Sequence, residues 1–563
     1  MGAAENERFR AARDLLLDLR EDHDAACARF RWPRFERFNW ALDWFDPVAG
    51  DSAREAVRIV DGDAVTSATY AELSQRSGQV ANWLRGRGVA RGDRVLVMLD
   101  NQLATWEVLL AAMKLGAVVV PAYTTISAGD LADRLERGGV GHVVTADALT
   151  GRFAGIADHL TRICVGAPVP GWAPYDDAGA ESSDYTPDRA TDADDPLFLY
   201  FTSGTTSRPK LALHTHTSYP VGHLSSMYWN GLLPGDRHLN ISAPGWAKHA
   251  WSSFFAPFDA EATLLTVRGG VAAAPEVLDA LVSQGTTTFC APPTVWRMLL
   301  QRDLGHRPAA LREAGSVGEP LNPEVIDRVR RAWGLTVRDG YGQSETTAQI
   351  GTSPGLPVRP GSMGKPLPGY RIVLLDPATG EPGDEGEICV DLADRPVGVM
   401  PGYLGDPEKN ARTFSGGVYH TGDVAQRDAD GYLTYVGRSD DVFKSYDYRI
   451  SPFELESVLL RHDAVAEAAV VPAPDPIGLV VPKAFVTPAE GCPPSAETAR
   501  SILRFAAGNL APHQWIRRLE FAVLPKTTSG KIRRAELRTA HQPSREHLLD
   551  EPGGFPSAPG GQQ

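Results

Sequence analysis

The sequence predicts an α/β protein: a large N-terminal domain of two α/β subdomains plus a β-rich subdomain, followed by a small α+β C-terminal domain. Three observations carry that expectation. Apolar runs of strand length alternate with helical patterns in two separate stretches. Beyond residue 370 the segments shorten and turn residues multiply, and the charged stretch Gly437-Arg438-Ser439-Asp440-Asp441 then precedes a further mixed α/β region. A chain of 563 residues exceeds one compact core and calls for about two to four domains or subdomains.

Taken in order, residues 1–35 alternate charge with Leu and Phe, including Leu15, Leu16 and Leu17, and predict an N-terminal helical extension. The aromatics between Phe38 and Phe45 read as packing rather than a binding surface. A helical pattern from Tyr70 leads to an apolar strand at 94–99, a helix at 106–115 and a second apolar strand at 117–121. Strands apolar throughout, joined by a helix, belong to a parallel sheet covered on both faces. The alternation recurs at 286–289, in a helix starting near Pro293, and in a strand at 335–337 ahead of Tyr341. Short β segments follow at 372–375, 387–390 and 432–436. The expected boundaries are 1–436 for the N-terminal domain, 437–441 for a linker, 442–541 for the C-terminal domain and 542–563 for a disordered Pro/Ser/Gly-rich tail.

Composition narrows the function classes. With 43% hydrophobic and 22% charged residues the chain has an ordinary globular composition, and its formal charge of −14 argues against non-specific nucleic-acid binding. Five cysteines, at 27, 164, 290, 389 and 492, form no C-x-x-C pair and have no histidine at zinc spacing; they read as reduced thiols of a cytoplasmic protein. The charged N-terminus lacks a signal-peptide core, and the most apolar window, 108–120, is too short to span a bilayer and contains Lys114. No membrane partner is expected, and oligomeric state is not legible.

The chemistry begins at residues 200–210, Tyr-Phe-Thr-Ser-Gly-Thr-Thr-Ser-Arg-Pro-Lys, directly after the apolar Leu197, Phe198 and Leu199. Small residues let backbone N–H groups approach phosphate oxygens, Thr202, Ser203, Thr205 and Thr206 add hydroxyl donors around Gly204, and Lys210 adds positive charge. Such a loop suits a polyphosphate. It is not the Walker pattern, since no Gly-Lys-Ser/Thr follows at the required spacing. An ordinary Ser/Thr/Gly turn after a strand is the plain alternative, weakened by eleven residues in this order.

The run resembles the phosphate-binding motif of the adenylate-forming superfamily of acyl-CoA synthetases, luciferases and peptide-synthetase adenylation domains. Four further motifs follow in the family's order. The segment Asp339-Gly340-Tyr341-Gly342-Gln343-Ser344-Glu345 resembles its adenine and AMP-phosphate motif, with Glu345 in the Mg²⁺ position; a carboxylate suits that hard cation. Gly318-Glu319-Pro320 resembles the other wall of the adenine pocket. Asp423, in Tyr419-His420-Thr421-Gly422-Asp423, and Arg438 correspond to ribose contacts, although either alone reads as a solvated surface group. Asp440 falls at the family's hinge, and Lys531, in Pro525-Lys526-Thr527-Thr528-Ser529-Gly530-Lys531, at its catalytic lysine. The stretches around Phe38, Trp246, Met363 and Val465 look most like medium-chain and benzoate-type acyl-CoA ligases.

The resemblance implies ATP, Mg²⁺ and coenzyme A as cofactors and a carboxylic acid as substrate. The acid attacks the α-phosphorus of ATP to give acyl-AMP and pyrophosphate, and a thiol then displaces AMP. Lys210, Lys531 and Glu345 are the implied catalytic groups. Trp246, Val317, Ser344 and Arg449 are candidates for the acid site, though the Trp246 indole equally fits a core position. Short to medium aliphatic and small aromatic acids both fit. Two departures stand out: Ser207 and Asp447 occupy positions where relatives commonly have glycine, and Tyr446, Asp447 and Tyr448 correspond to the thiol tunnel. A carboxylate there keeps a second acceptor open, the phosphopantetheine thiol of an acyl carrier protein.

In the family the C-terminal domain is mobile and turns about the hinge between the two half-reactions. Asp440→Pro is therefore expected to impair thioester formation more than adenylation, and Lys531→Ala the reverse. Pyrophosphate exchange and thiolation of supplied acyl-AMP measure the two separately; equal losses in both assays contradict these roles.

Overall fold

The computed structural model describes residues 3–156, 159–202, 209–269, 274–439, 441–445, 448–475, 479–526, 532–539 and 546–549. The chain divides into two compact units, the first formed by 1–372 and 390–419, the second by 373–389 and 420–563.

The first unit holds two sheets. In one, the strand Arg94–Met98 lies between Val118–Pro121 and His142–Ala146, parallel to both, and Thr161–Val165 continues the parallel order. Val95, Leu96, Val97 and Met98 are all buried, as strands covered on both faces require. The sheet changes direction at Pro196–Thr202, which pairs parallel with Val118–Pro121 on one side and antiparallel with Lys210–Thr215 on the other. The short strand Gly402–Tyr403 then closes that edge. The helix Leu103–Leu115 has an almost wholly buried surface, and even Lys114 is enclosed, its ammonium 2.9 Å from Asp46 Oδ1 and donating to the Ser74 carbonyl at 3.0 Å.

The second sheet runs in parallel pairs through Thr263–Val267, Arg237–Asn240, Thr288–Cys290, Glu313–Val317 and Arg338–Gly342, then turns antiparallel into Ala348–Gly351 and Ser362–Pro366. Here the structure corrects the sequence reading. Residues 335–337 are not the strand; the helix Pro323–Trp333 ends at Gly334 in the left-handed region, and the strand begins at Arg338, so the Gly-Tyr-Gly motif lies within it rather than after it. The N-terminal extension is helical as expected, at Ala3–Asp18 and His23–Arg29, and packs Phe9 against Trp44 at 4.8 Å between ring centroids. The Phe38–Phe45 aromatics belong to the same packed layer, Trp40 and Trp44 being fully buried.

In the second unit, the strands Glu385–Asp391, Val418–Arg427 and Leu433–Arg438 are neighbours in one sheet. A separate sheet pairs Val465–Asp475 antiparallel with Leu479–Pro488, which runs parallel to Arg518–Phe521. The helices Pro452–Leu459 and Ala496–Asn509 cover it through Leu455, Leu459, Ile502 and Leu503. Each helix begins at a serine, Ser451 or Ser495, whose hydroxyl accepts from the backbone N–H of Glu454 or Thr498.

The segment expected to be a disordered tail contains a strand. His547–Leu548 pairs antiparallel with Arg518–Phe521, placing Leu548 opposite Arg518. The cause is a buried charge: Lys483 is wholly enclosed and lies 2.8 Å from Glu520 and 2.6 Å from Glu546, so residue 546 is drawn in to neutralise it. Among the described residues no helix is long and apolar enough to cross a membrane.

Lys483→Met takes the enclosed cation from between Glu520 and Glu546, leaving Glu546 only Arg518 at 3.4 Å, and is expected to cost the C-terminal sheet about 3–5 kcal/mol. Urea unfolding followed by hydrogen exchange at 546–549 checks this; unchanged protection there contradicts the tether.

Candidate functional site

The candidate groups of the first unit start at the hairpin. Thr202 and Lys210 are register partners across the antiparallel strands, so the connection between them leads from strand to strand. A Walker loop instead leads from strand to helix, which accounts for the different placement of the lysine. Ser203, Gly204, Thr205, Thr206 and Ser207 lie outside the described residues. The Lys210 ammonium stands 5.4 Å from the centroid of the Tyr403 ring.

Tyr403 donates its hydroxyl to Glu345 Oε1 at 2.9 Å, and Thr202 donates to the same oxygen at 3.3 Å. The backbone N–H of Met400 holds the Glu345 carbonyl at 2.9 Å. Both side-chain bonds fall on Oε1; Oε2 has no hydrogen bond among the described residues. Residues 341–345 are all half-buried while the flanking 337–340 and 346–350 are buried, so this short run, at the C-terminal edge of a central strand, is the part that meets solvent. Tyr403 was not legible as a site residue, because it lies 58 positions from Glu345 in no recognisable motif.

Below this edge the packing is tight. A Cβ on Gly340 would stand 2.4 Å from the Trp229 indole, and one on Gly342 would stand 2.4 Å from Trp251. The two glycines around Tyr341 are thus required by indoles of the protein itself and, at Gly342, also by the Thr347 carbonyl. Asp339 is enclosed beside them, accepting from the backbone N–H of Gly340 at 2.9 Å and of Leu321 at 3.4 Å. Burial pushes its carboxyl up to about 8, against the pull of those two donors.

His214 is a second group that sequence reasoning missed. Its Nε2 is 2.8 Å from the Ser344 carbonyl and its Nδ1 3.0 Å from the Ser218 hydroxyl, while the ring stacks on Tyr219 at 3.9 Å. A carbonyl only accepts, so Nε2 carries the proton and Nδ1 accepts from Ser218. Burial drives this imidazole down to about 3 and keeps it neutral. Gln343 is held similarly, its amide oxygen accepting from the Tyr419 hydroxyl at 2.8 Å.

The remaining candidates of this unit divide. Val317 is 2% exposed and pairs with Gly340, which makes it a wall residue reached only through its neighbours. Gly318, with φ +107°, lies against the Trp246 indole, where an added Cβ would come within 3.3 Å. Trp246 is half-buried, so the indole is neither wholly core nor wholly surface. Glu319 is engaged by the Thr294 hydroxyl at 3.0 Å and by Arg297 at 3.3 Å, and Pro320 is half-buried beside it. Lys248, two positions after Trp246, is buried against Asn240 Oδ1 at 2.6 Å, and burial lowers its ammonium below the usual range.

In the second unit Asp423 and Arg438 are register partners, with Arg438 Nη1 3.4 Å from Asp423 Oδ1 and 3.0 Å from the Thr421 carbonyl. The Tyr435 hydroxyl donates to Asp423 Oδ1 at 3.0 Å, and the aspartate is only 5% exposed. It is a positioned group rather than a solvated turn residue. Glu387 Oε1 accepts from the Gly422 N–H at 2.7 Å and fixes the turn carrying Asp423. Ser445 is opposite Tyr448 in the hairpin that follows, but Asp440, Tyr446 and Asp447 lie outside the described residues, as do the side chains of Tyr448 and Arg449. Lys531 also lies outside them; Lys526 and Ile532, on either side, form an antiparallel bridge.

Comparison with known proteins adds the following. The profile of the family described as AMP-binding enzyme matches residues 46–404, and that of the AMP-binding enzyme C-terminal domain matches 454–531. The chain is 40% identical over 524 residues to 4-hydroxybutyrate–CoA ligase 1 of Metallosphaera sedula, covering 91% of this chain and 92% of that one. It is 37% identical to the mitochondrial acyl-coenzyme A synthetase ACSM3 of Mus musculus, covering 89% and 90%. Among solved structures it is similar to the anthranilate CoA ligase AuaEII in complex with anthranoyl-AMP, with a TM-score of 0.82, 27% identity and coverage of 90% and 98%. It is also similar to a benzoate CoA ligase from Burkholderia xenovorans LB400, with a TM-score of 0.77, 29% identity and coverage of 89% and 100%.

The Asp339 carboxyl yields a pH signature. Between the unfolded value of about 4 and the folded value of about 8, the native state keeps a proton that the unfolded chain has released, so stability falls as pH rises through that window. Asp339→Asn removes the titration. Its melting temperature relative to the parent is expected to improve from pH 5 to pH 8, and a constant difference across that range contradicts the shifted carboxyl.

Proposed function

The chain belongs to the AMP-binding enzyme family and is an AMP-forming acyl-CoA synthetase; on that premise we propose that its substrate is a short- or medium-chain aliphatic acid or a small aromatic acid, activated in the cytoplasm. The observation that carries the site assignment is the cluster of Glu345, Thr202, Tyr403 and Lys210, which sets a fixed carboxylate and a cation at the base of a hydroxyl-rich loop.

Thr202 and the loop residues Ser203, Gly204, Thr205 and Thr206 supply donors to the phosphates of ATP, and Lys210 and Lys531 offset charge as two anions approach. Gly318, Glu319 and Pro320, with Asp339 to Ser344, receive the adenine and the α-phosphate. Asp423 accepts from the ribose hydroxyls and Arg438 holds the aspartate. Trp246, Val317, Ser344 and Arg449 accommodate the acid, and Tyr446, Asp447 and Tyr448 the arm of the thiol. Support for a small acid comes from Trp246, whose half-buried indole lies over Gly318 and limits depth.

Mg²⁺ fits Glu345: Oε1 is fixed by two hydroxyl donors and Oε2 has no hydrogen-bond partner among the described residues, an oxygen suited to a hard cation. Bound there, the ion would neutralise phosphate charge. The protein's own part in the first step is to align the acid's oxygen with the α-phosphorus while the bond to the bridging oxygen of pyrophosphate breaks. In the second, the thiol loses its proton, its sulfur bonds to the carbonyl carbon, and AMP departs with the former carboxylate oxygen.

A panel of carboxylic acids assayed with ATP and either coenzyme A or a carrier protein tests this reading; acyl-AMP formed without acyl-CoA contradicts it. Glu345→Gln is expected to slow pyrophosphate exchange by roughly a hundred- to thousandfold, and Tyr403→Phe, which removes one of two donors to the same oxygen, by about tenfold. Parent-like exchange in Glu345→Gln removes the carboxylate from the mechanism.

A further inference from the structure

Glu387 and Cys389 are two positions apart on the strand Glu385–Asp391, so their side chains leave the same face of the sheet. His420 meets them from the neighbouring strand Val418–Arg427. Glu387 Oε2 stands 2.9 Å and Cys389 Sγ 3.5 Å from one and the same ring atom, His420 Nδ1, and the three atoms all lie within 4.8 Å of one another. A ring nitrogen carries either a proton or a lone pair and serves one neighbour at a time. When Nδ1 donates to Glu387, it has no lone pair left for the thiol. Carboxylate oxygen, sulfur and imidazole nitrogen thus converge on one point that a single proton cannot satisfy.

A metal ion satisfies all three. With Zn–S of about 2.3 Å and Zn–N of about 2.0–2.1 Å, tetrahedral ligands stand roughly 3.6 Å apart, close to the observed sulfur–nitrogen separation. We propose that Glu387, Cys389 and His420 form a binding site for a zinc-class divalent cation, with water in the fourth position. The mixed sulfur, nitrogen and oxygen set selects such an ion over Mg²⁺, so this site differs in kind from the oxygen donor at Glu345. Cys389 forms the buried wall, while the Glu387 and His420 side chains are 16% and 27% exposed and leave the entry path. On binding, the thiol proton passes to solvent and the imidazole proton moves from Nδ1 to Nε2. The site also touches the nucleotide side of this unit, because Glu387 Oε1 accepts from the Gly422 N–H beside Asp423.

The test is titration of the full-length protein with Co²⁺, the spectroscopic stand-in for zinc. One equivalent is expected to produce a thiolate-to-cobalt charge-transfer band in the near ultraviolet, bleached by one equivalent of Zn²⁺. Cys389→Ser abolishes the band, Glu387→Gln keeps it but weakens cobalt affinity at least about tenfold, and Cys27→Ser, which alters the separate Cys27–His23 contact at 3.4 Å, leaves it intact. No band in the parent protein, or a band that survives Cys389→Ser, overturns the proposal. Should Cys389→Ser fail to fold by circular dichroism, His420→Asn replaces it, with the same loss of affinity expected and persistence of tight binding overturning the site.

Discussion

The pairing of Thr202 with Lys210 across two antiparallel strands is the constraint on which the rest of the first unit's site depends. A slip of one residue would send every side chain of the second strand to the opposite face, turning Lys210 inward and Leu211 outward. The register is held from both edges. Leu211 and Ala212 are buried, and the strand Gly402–Tyr403 adds to the far side with Tyr403 opposite Ala212. That second pairing brings the Tyr403 hydroxyl to Glu345 and its ring beneath Lys210. One edge of one sheet therefore brings a cation and a carboxylate together, at the two strand ends that flank the loop proposed to hold phosphate.

Behind that edge the unit pairs some buried charges, such as Lys114 with Asp46 and Arg338 with Glu313, and neutralises others. Burial drives His214, His216, His238 and His249 down to about 3, lifts Asp339, and lowers Lys248. Ionised groups are costly in an interior, and Lys210 and Glu345, the groups proposed to meet a charged ligand, sit half-buried at the margin. Neutrality also has a positive use. A neutral imidazole offers one donor and one acceptor in fixed directions, and His214 spends them on the Ser344 carbonyl and the Ser218 hydroxyl. Protonation would abolish the acceptor and release Ser218. The segment that carries Glu345 is thus oriented by a buried, neutral histidine.

Legibility in the sequence follows the range of the forces involved. The strand, helix and strand between 94 and 121 were readable because parallel strands covered on both faces are apolar at every position. The strand Arg338–Gly342 was not, since an arginine, an aspartate and two glycines carry neither alternation nor an apolar run. It is a strand because Glu313–Val317 pairs with it and Trp229 fills the space its glycines leave. Composition likewise misjudged 546–549, where a polar tail is held by the buried Lys483 ammonium, more than sixty positions away, and by Arg518. In the site, the residue types proposed to meet phosphate and nucleotide stand in the sequence in the family's order. Their supports were not legible there: Tyr403 and His214 lie 58 and 130 positions from the groups they hold.

Asp423 makes the physical reason plain. Alone in a Thr-Gly-Asp turn, an aspartate is most often solvated, and nothing nearby in sequence says otherwise. Its burial is imposed by the strand Leu433–Arg438, whose register sets Arg438 opposite it and whose Tyr435 donates to the same carboxylate oxygen. The adjoining strand Glu385–Asp391 does equivalent work from the other side, where Glu387 takes the Gly422 N–H and faces His420. One residue, Glu387, 33 positions from His420 and 35 from Gly422, thereby helps decide the conformation of a five-residue motif. A motif names the group that does the chemistry; the sheet it is sewn into decides whether that group is charged, covered and aimed.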